Sequence, residues 1–170
     1  MKRLLLAVIV LACTSAAAQP ALVVKPLAER KVAQLPGGTL YWRIENYPSL
    51  DAASAAATPW SLAVASAGKA WLFTLGPAGG ATPGGTRVTE VGPIPRIAAS
   101  EYLLRINEAT GAPGSVTPVH THPGSEAFYV LRGKQSIRGP KGVLRVAAGT
   151  AEAGSGSDVA MQVSSSGEVD

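Results

Sequence analysis

Reactive and ionisable side chains are scarce in this chain. Its 170 residues include one cysteine and two histidines, and only 15% of them are charged. The single cysteine, Cys13, lies close to the N-terminus, so a chain cleaved beyond it has no disulfide and no thiolate metal ligand. Sparse charge without a run of Lys or Arg argues against a disordered tail and against a nucleic-acid-binding protein.

Two familiar signatures of catalysis are also missing. The stretch GPAGGATPGG at residues 76–85 is glycine-rich, but it lacks the Lys-Ser/Thr pair and the helix of a phosphate-binding loop. We therefore expect it to be an ordinary loop. Because His120 and His122 are the only histidines, no Ser-His-Asp triad can be built away from them.

The start of the chain resembles a signal peptide. A basic N-terminus precedes an apolar run at residues 4–12, which is too short to span a bilayer as a mature helix. Ala16 and Ala18 suit cleavage before Gln19, which predicts an exported protein, periplasmic or secreted. The alternative is a lipoprotein signal, since the sequence VLAC is similar to a lipobox and would place a lipidated Cys13 on a membrane surface.

Short apolar segments between turn residues follow, in a chain with 19 glycines and 13 prolines. No segment shows a sustained apolar period of 3.6 residues, so the pattern predicts an all-β sandwich or barrel. We expect a signal peptide at 1–18, an N-terminal extension at 19–36 and one β domain at 37–170. Strands are expected at residues 39–44, 60–65, 70–75, 86–91, 101–108, 116–122, 126–131, 135–138, 143–147 and 159–164, and helical turns at 51–57.

Both histidines lie in the stretch PVHTHPGSEAFYVLRG at residues 118–133. In a strand, alternate side chains share a face, so His120 and His122 should point the same way. A Pro-Gly-Ser turn follows, and Glu126 begins the return strand beside them. Two imidazoles and a carboxylate make three ligands for a divalent metal. The alternative is that the histidines are polar pocket residues without a metal.

The spacing of five residues in this region resembles the first motif of the cupin superfamily, G-x5-H-x-H-x3-E-x6-G. The matching residues are Gly114, His120, His122, Glu126 and Gly133. The resemblance covers roughly residues 100–167. It implies a small jelly-roll β-barrel of the cupin type, with the metal site in the mouth of the barrel.

The second cupin motif, G-x5-P-x-G-x2-H-x3-N, is degenerate here. The best alignment places Gly156, Asp158, Met161 and Ser165 against its Pro, Gly, His and Asn, so Met161 stands where the fourth ligand is expected. A set of two histidines and one carboxylate suits Fe(II), with Mn and Zn as alternatives, whereas a thioether ligand would favour Cu. The alternative role for Met161 is core packing.

A cupin barrel also needs a further strand after residues 159–164. Either an N-terminal strand such as residues 39–44 closes the sheet, or the chain is incomplete.

These observations predict an exported cupin-like barrel that binds one divalent metal ion (Fe(II), Mn, Zn or Cu) through His120, His122 and Glu126. The predicted partner is a small-molecule ligand and not nucleic acid, and pairing into a homodimer stays open. No residue is assigned a catalytic role. One alternative is a metal-dependent oxygenase or isomerase that acts on a small organic substrate. Another is a degenerate cupin without metal, with a structural or interaction role.

Overall fold

Antiparallel strand pairs make up most of the structure. The computed structural model describes residues 20–166, so the predicted signal peptide and Cys13 lie outside the described residues. Within that range the elements follow in this order: β1 (Val23–Val32), β2 (Leu40–Tyr47), α1 (Leu50–Ala55), β3 (Ser61–Ser66), β4 (Lys69–Gly76), β5 (Thr86–Ile94), β6 (Tyr102–Thr110), β7 (Ala127–Tyr129), β8 (Lys134–Gly139), β9 (Gly142–Ala147), β10 (Ala151–Ala153) and β11 (Gln162–Ser165).

The first half of the chain forms a four-stranded sheet in the order β3-β4-β2-β5. Strands β3 and β4 are joined by a two-residue turn, in which Ala67 and Gly68 both have positive φ, 50° and 71°. Turns of this hand match the twist of a hairpin, which explains the tight connection. Helix α1 begins at an N-cap, Ser49, whose hydroxyl accepts a hydrogen bond from the Ala52 amide. The buried Ala53 of α1 packs beside Leu72 of β4 in one apolar cluster.

The second half forms two smaller sheets. One has the order β11-β8-β9, and the other pairs β10 with β7. The hairpin of β8 and β9 closes around the Gly139–Gly142 pair, and its two strands confirm those predicted at residues 135–138 and 143–147. Its inner face contributes to an apolar cluster of Val130, Ile137, Val146, Met161 and Val163.

A fourth pairing joins two strands that lie about eighty residues apart in the chain. Strand β1 pairs along its length with β6, and an irregularity in the register falls between Pro26 and Ala28. Proline lacks a backbone donor and is tolerated at such irregular or edge positions. Residues 23–32 belong to the predicted N-terminal extension, and the sequence analysis expected no strand there.

The prediction of a mostly β chain is confirmed, with antiparallel pairing in each of the four sheets. The described residues do not form one closed barrel. Residues 39–44 contribute to β2, between β4 and β5, and do not complete the C-terminal sheet. Near the C-terminal sheet, the N-terminal segment contributes Ala21, which forms a parallel bridge with Val116. Within residues 20–166, no helix has the length and apolar character that crossing a membrane requires.

Candidate functional site

Backbone pairing with the C-terminal strand holds the segment that carries both histidines. The segment does not form the continuous strand predicted for residues 116–122; it forms isolated bridges instead. His120 and Met161 exchange two backbone hydrogen bonds, of 2.9 and 2.8 Å. The carbonyl of His122 accepts a hydrogen bond of 2.7 Å from the amide of Asp158. These contacts fix the backbone on both sides of Thr121.

The placement of Met161 matches the alignment with the degenerate second motif. Two residues that exchange both backbone hydrogen bonds are direct cross-strand partners, and their side chains share one face. Met161 is therefore the neighbour of His120, as the alignment predicts. Its side chain is only 2% exposed and packs with Val146 and Val163. This burial favours core packing as its role.

Glu126 reaches the histidines from the next segment, one residue before β7. Its carbonyl accepts a 2.8 Å hydrogen bond from the amide of Gly154. A Cβ atom at Gly154 would lie 2.9 Å from the ring of Phe128 and 3.1 Å from the Glu126 carbonyl oxygen. The close approach of the two backbones therefore requires glycine. Sequence analysis missed this role, although a glycine beside a strand is a recognised signal of close backbone approach.

The three predicted ligand residues do come together, but not as a complete ligand set. The His122 Nε2 and Glu126 Oε2 atoms are 3.4 Å apart. The rings of His120 and His122 meet edge to face, with centroids 4.9 Å apart. Among the residues that the structure describes, no three His, Cys, Asp or Glu side chains are arranged to hold a metal ion.

The facing atoms of His122 and Glu126 lack hydrogen-bond partners within residues 20–166, a property that they share with Arg43 Nε and Glu45 Oε2. Nε2 and Oε2 are both buried, and neither has a hydrogen-bond partner among the described residues. Two donors that share one ion, with bonds of about 2.0–2.2 Å, lie about 3.0–3.5 Å apart. The 3.4 Å separation of these two atoms is compatible with a shared cation and equally with a direct pairing of the carboxyl and the imidazole.

His120 is held in a tautomer that leaves its other nitrogen available. Its Nδ1 atom lies 2.8 Å from the carbonyl oxygen of Pro118. A carbonyl can only accept, so Nδ1 carries a hydrogen, and in the neutral ring Nε2 is the nitrogen with the lone pair. Metal-binding histidines commonly have such a backbone partner on the second ring nitrogen. Pro118 is a second residue that the motif comparison did not identify.

The pKa values of His122 and Glu126 differ from those of the free side chains. Burial raises the pKa of Glu126 to about 7, although the nearby His120 acts to lower it. Burial also lowers the pKa of His122, with a further contribution from the charge of His120. At neutral pH the imidazole of His122 is therefore neutral, as a metal ligand must be, and Glu126 is close to its midpoint of titration.

Comparison with known proteins adds no assignment. No protein-family model, curated protein or solved structure matches this chain.

Proposed function

We propose that this is an exported, cupin-like protein that binds one divalent metal ion through His120, His122 and Glu126 and, beside it, a small molecule. One observation carries the proposal. Two buried atoms that can bind a metal ion, His122 Nε2 and Glu126 Oε2, face each other without hydrogen-bond partners. The spacing of the first cupin motif supports it, as does the antiparallel β structure around the site. The proposed fold is the jelly-roll barrel implied by that motif.

Binding requires one local rearrangement. The side chain of His120 would have to move for all three residues to hold one ion, because the three side chains are not arranged as a ligand set. A bound divalent ion would act as a Lewis acid toward an oxygen of the ligand. The chain's own contribution is to supply one carboxylate and two neutral imidazoles from a backbone fixed by Met161, Asp158 and Gly154.

Elemental analysis and calorimetric titration with Fe(II), Mn(II), Zn(II) and Cu(II) test the proposal. We expect about one equivalent of metal in the wild type, and at least about a tenfold loss of affinity in His120→Ala, His122→Ala and Glu126→Gln. Glu152→Gln is the matched control, because Glu152 is an exposed carboxylate on the neighbouring strand β10. Full metal binding by His122→Ala would rule out the proposed site.

A second candidate is a cupin-like protein without metal, supported by the 3.4 Å approach of His122 Nε2 and Glu126 Oε2, which a direct pairing of the two groups also explains. In that case the site is a buried acid–imidazole pair, and the chain has a structural or interaction role. This candidate predicts wild-type protein without stoichiometric metal, and a Glu126→Gln variant that is at least as stable as wild type at neutral pH.

The enzymatic alternative, an oxygenase or isomerase, depends on the metal being present. Oxygen consumption by the Fe(II)-loaded protein, measured against a panel of small organic molecules, separates it from a binding protein. The Glu126→Gln variant provides the matched background, since it should consume no oxygen above the metal-free protein.

A further inference from the structure

A second candidate site lies on the outer face of the sheet formed by β11, β8 and β9. It is a cleft of about 390 Å³, within the range of small-molecule sites. The residues that line it include Val116, Ser136, Arg138, Val143, Gln162 and Ser164.

The strand register explains why these side chains share one face. Arg138 is the direct partner of Gln162 and of Val143, and Ser136 is the partner of Ser164. Alternate residues of the same strands, such as Ile137 and Val163, are buried in the apolar cluster on the inner face. The cleft therefore lies on the opposite side of the sheet from Met161 and the core.

The lining has one kind of charge and several neutral hydrogen-bonding groups. Arg138 is exposed, and none of the described residues that line the cleft is acidic. The register also places Arg145 opposite Ser136 on the same face. The amide nitrogen of Gln162 donates to the Thr117 carbonyl at 3.1 Å, which leaves its amide oxygen as an acceptor.

The sequence around the cleft is strongly one-sided in charge. Residues 134–147, which form the β8–β9 hairpin, contain four basic residues and no acidic residue, although the whole chain has a net charge of only +4. The planar guanidinium of an arginine recognises a carboxylate or a phosphate through two parallel hydrogen bonds. Hydroxyl and amide groups beside it match the hydroxyls of a sugar, and Val116 and Val143 offer apolar surface to its C–H groups.

We propose that this cleft binds a small anionic sugar, a polyhydroxylated molecule with one carboxylate or phosphate group. Arg138 pairs with the anionic group, and Ser136, Ser164 and the amide oxygen of Gln162 bind hydroxyls. A cleft of this size suits a sugar of one or two units better than a polymer or a lipid surface, which would need a broader basic face. The proposal does not depend on the metal site.

Titration of the full chain with glucuronate and with glucose 6-phosphate tests this proposal and distinguishes the two anionic groups. We expect a Kd of about 1 mM or tighter for at least one of them. Arg138→Gln should weaken that binding about tenfold or more, because it removes a charge-assisted pair. On addition of the sugar, the chemical shifts of the backbone amides should change most at Ser136, Gln162 and Ser164.

Two controls make the test specific. Arg132→Gln makes the same charge change at an exposed arginine outside the lining residues, and it should alter the Kd less than about twofold, as expected for a distant exposed charge. His122→Ala should leave sugar binding unchanged, which separates this site from the proposed metal site. Equal losses in Arg132→Gln and Arg138→Gln would overturn the proposal. So would equally tight binding of neutral glucose, or binding of only anionic polymers or vesicles.

Discussion

Each half of the molecule places a glutamate beside a basic side chain, but Glu45 is fully buried whereas Glu126 is partly exposed. In the four-stranded sheet, Glu45 is 1% exposed and lies 3.1 Å from the Arg43 Nε atom. Its other oxygen accepts a 3.0 Å hydrogen bond from the Thr82 amide. In the C-terminal half, the side chain of Glu126 is 29% exposed and faces only the imidazole of His122.

The pKa values of the two carboxyls reflect this difference. Burial alone would raise the pKa of Glu45, but hydrogen bonds from Thr82 and Arg43 outweigh burial, and the pKa is lowered. Glu126 has no permanent cation beside it, and burial raises its pKa to about 7. A buried carboxylate beside a permanent cation and a backbone donor stabilises the fold, whereas one beside an imidazole is suited to bind a proton or a metal ion.

The largest loss of stability is expected when Glu45, like Glu126, has no permanent cation beside it. Arg43→Ala leaves a buried carboxylate without its cation and should lower the free energy of unfolding by about 3–5 kcal/mol. Chemical denaturation measures this loss. The control is Arg87→Ala, because Arg87 is exposed and pairs with Glu90 at 3.7 Å, and its removal should cost less than about 1 kcal/mol. Similar losses in both variants would show that the buried network has no special role.

The pH dependence of stability should have opposite signs for the two carboxyls. Because the pKa of Glu126 is raised, the folded protein binds this proton more tightly than the unfolded chain does. The stabilisation is fully present below about pH 4.5 and is lost as the pH rises through about 7, by up to about 3 kcal/mol. The pKa of Glu45 is lowered, so its contribution is present above about pH 4.5 and is lost in acid.

Urea denaturation with a chelator present, from pH 4 to pH 8, measures this contrast. His122 titrates in the opposite sense to Glu126, since burial lowers its pKa, so the Glu126→Gln variant is the reference. Stability of the wild type should fall relative to that variant between about pH 4.5 and 7. A constant difference between the two proteins over this range would contradict the raised pKa.

A third prediction concerns a variant that adds one more imidazole to the proposed metal site around Glu126. Met161 lies directly across from His120, so Met161→His should add a third imidazole to the site. We expect metal binding to tighten by about one to two orders of magnitude, measured by calorimetry. If His122→Ala loses binding while Met161→His gains none, the metal site stands and the alignment of the second motif is wrong.

The smallest effect is expected from Met161→Leu, a volume-conserving exchange within the buried cluster. It should change the free energy of unfolding by less than about 1.5 kcal/mol and leave the affinity for Fe(II), Mn(II) and Zn(II) unchanged. A selective loss of Cu affinity would instead identify the thioether as a ligand.

Local pattern was sufficient to predict the hairpins. The pairs β3–β4 and β8–β9 lie within a residue or two of their predicted positions, because their turns contain the glycines and prolines that the geometry requires. Strand β1 was missed, since its ten residues, with Pro26 inside, gain their order from a partner about eighty positions away. Most residues of β1 are exposed, so the strand has no alternation of apolar and polar residues by which its sequence could be recognised.

The candidate site shows the same division. The spacing of the motif was sufficient to predict that His120, His122 and Glu126 lie near one another, because a short turn limits where neighbouring residues can lie. The alignment with the second motif predicted that Met161 lies beside them. Only the tertiary structure decided that Met161 is buried in the core, that Gly154 lets the backbone of Glu126 approach, and that Oε2 of Glu126 faces Nε2 of His122 without another partner. Burial and missing hydrogen-bond partners arise from contacts between segments far apart in the chain, so a local sequence motif cannot specify them.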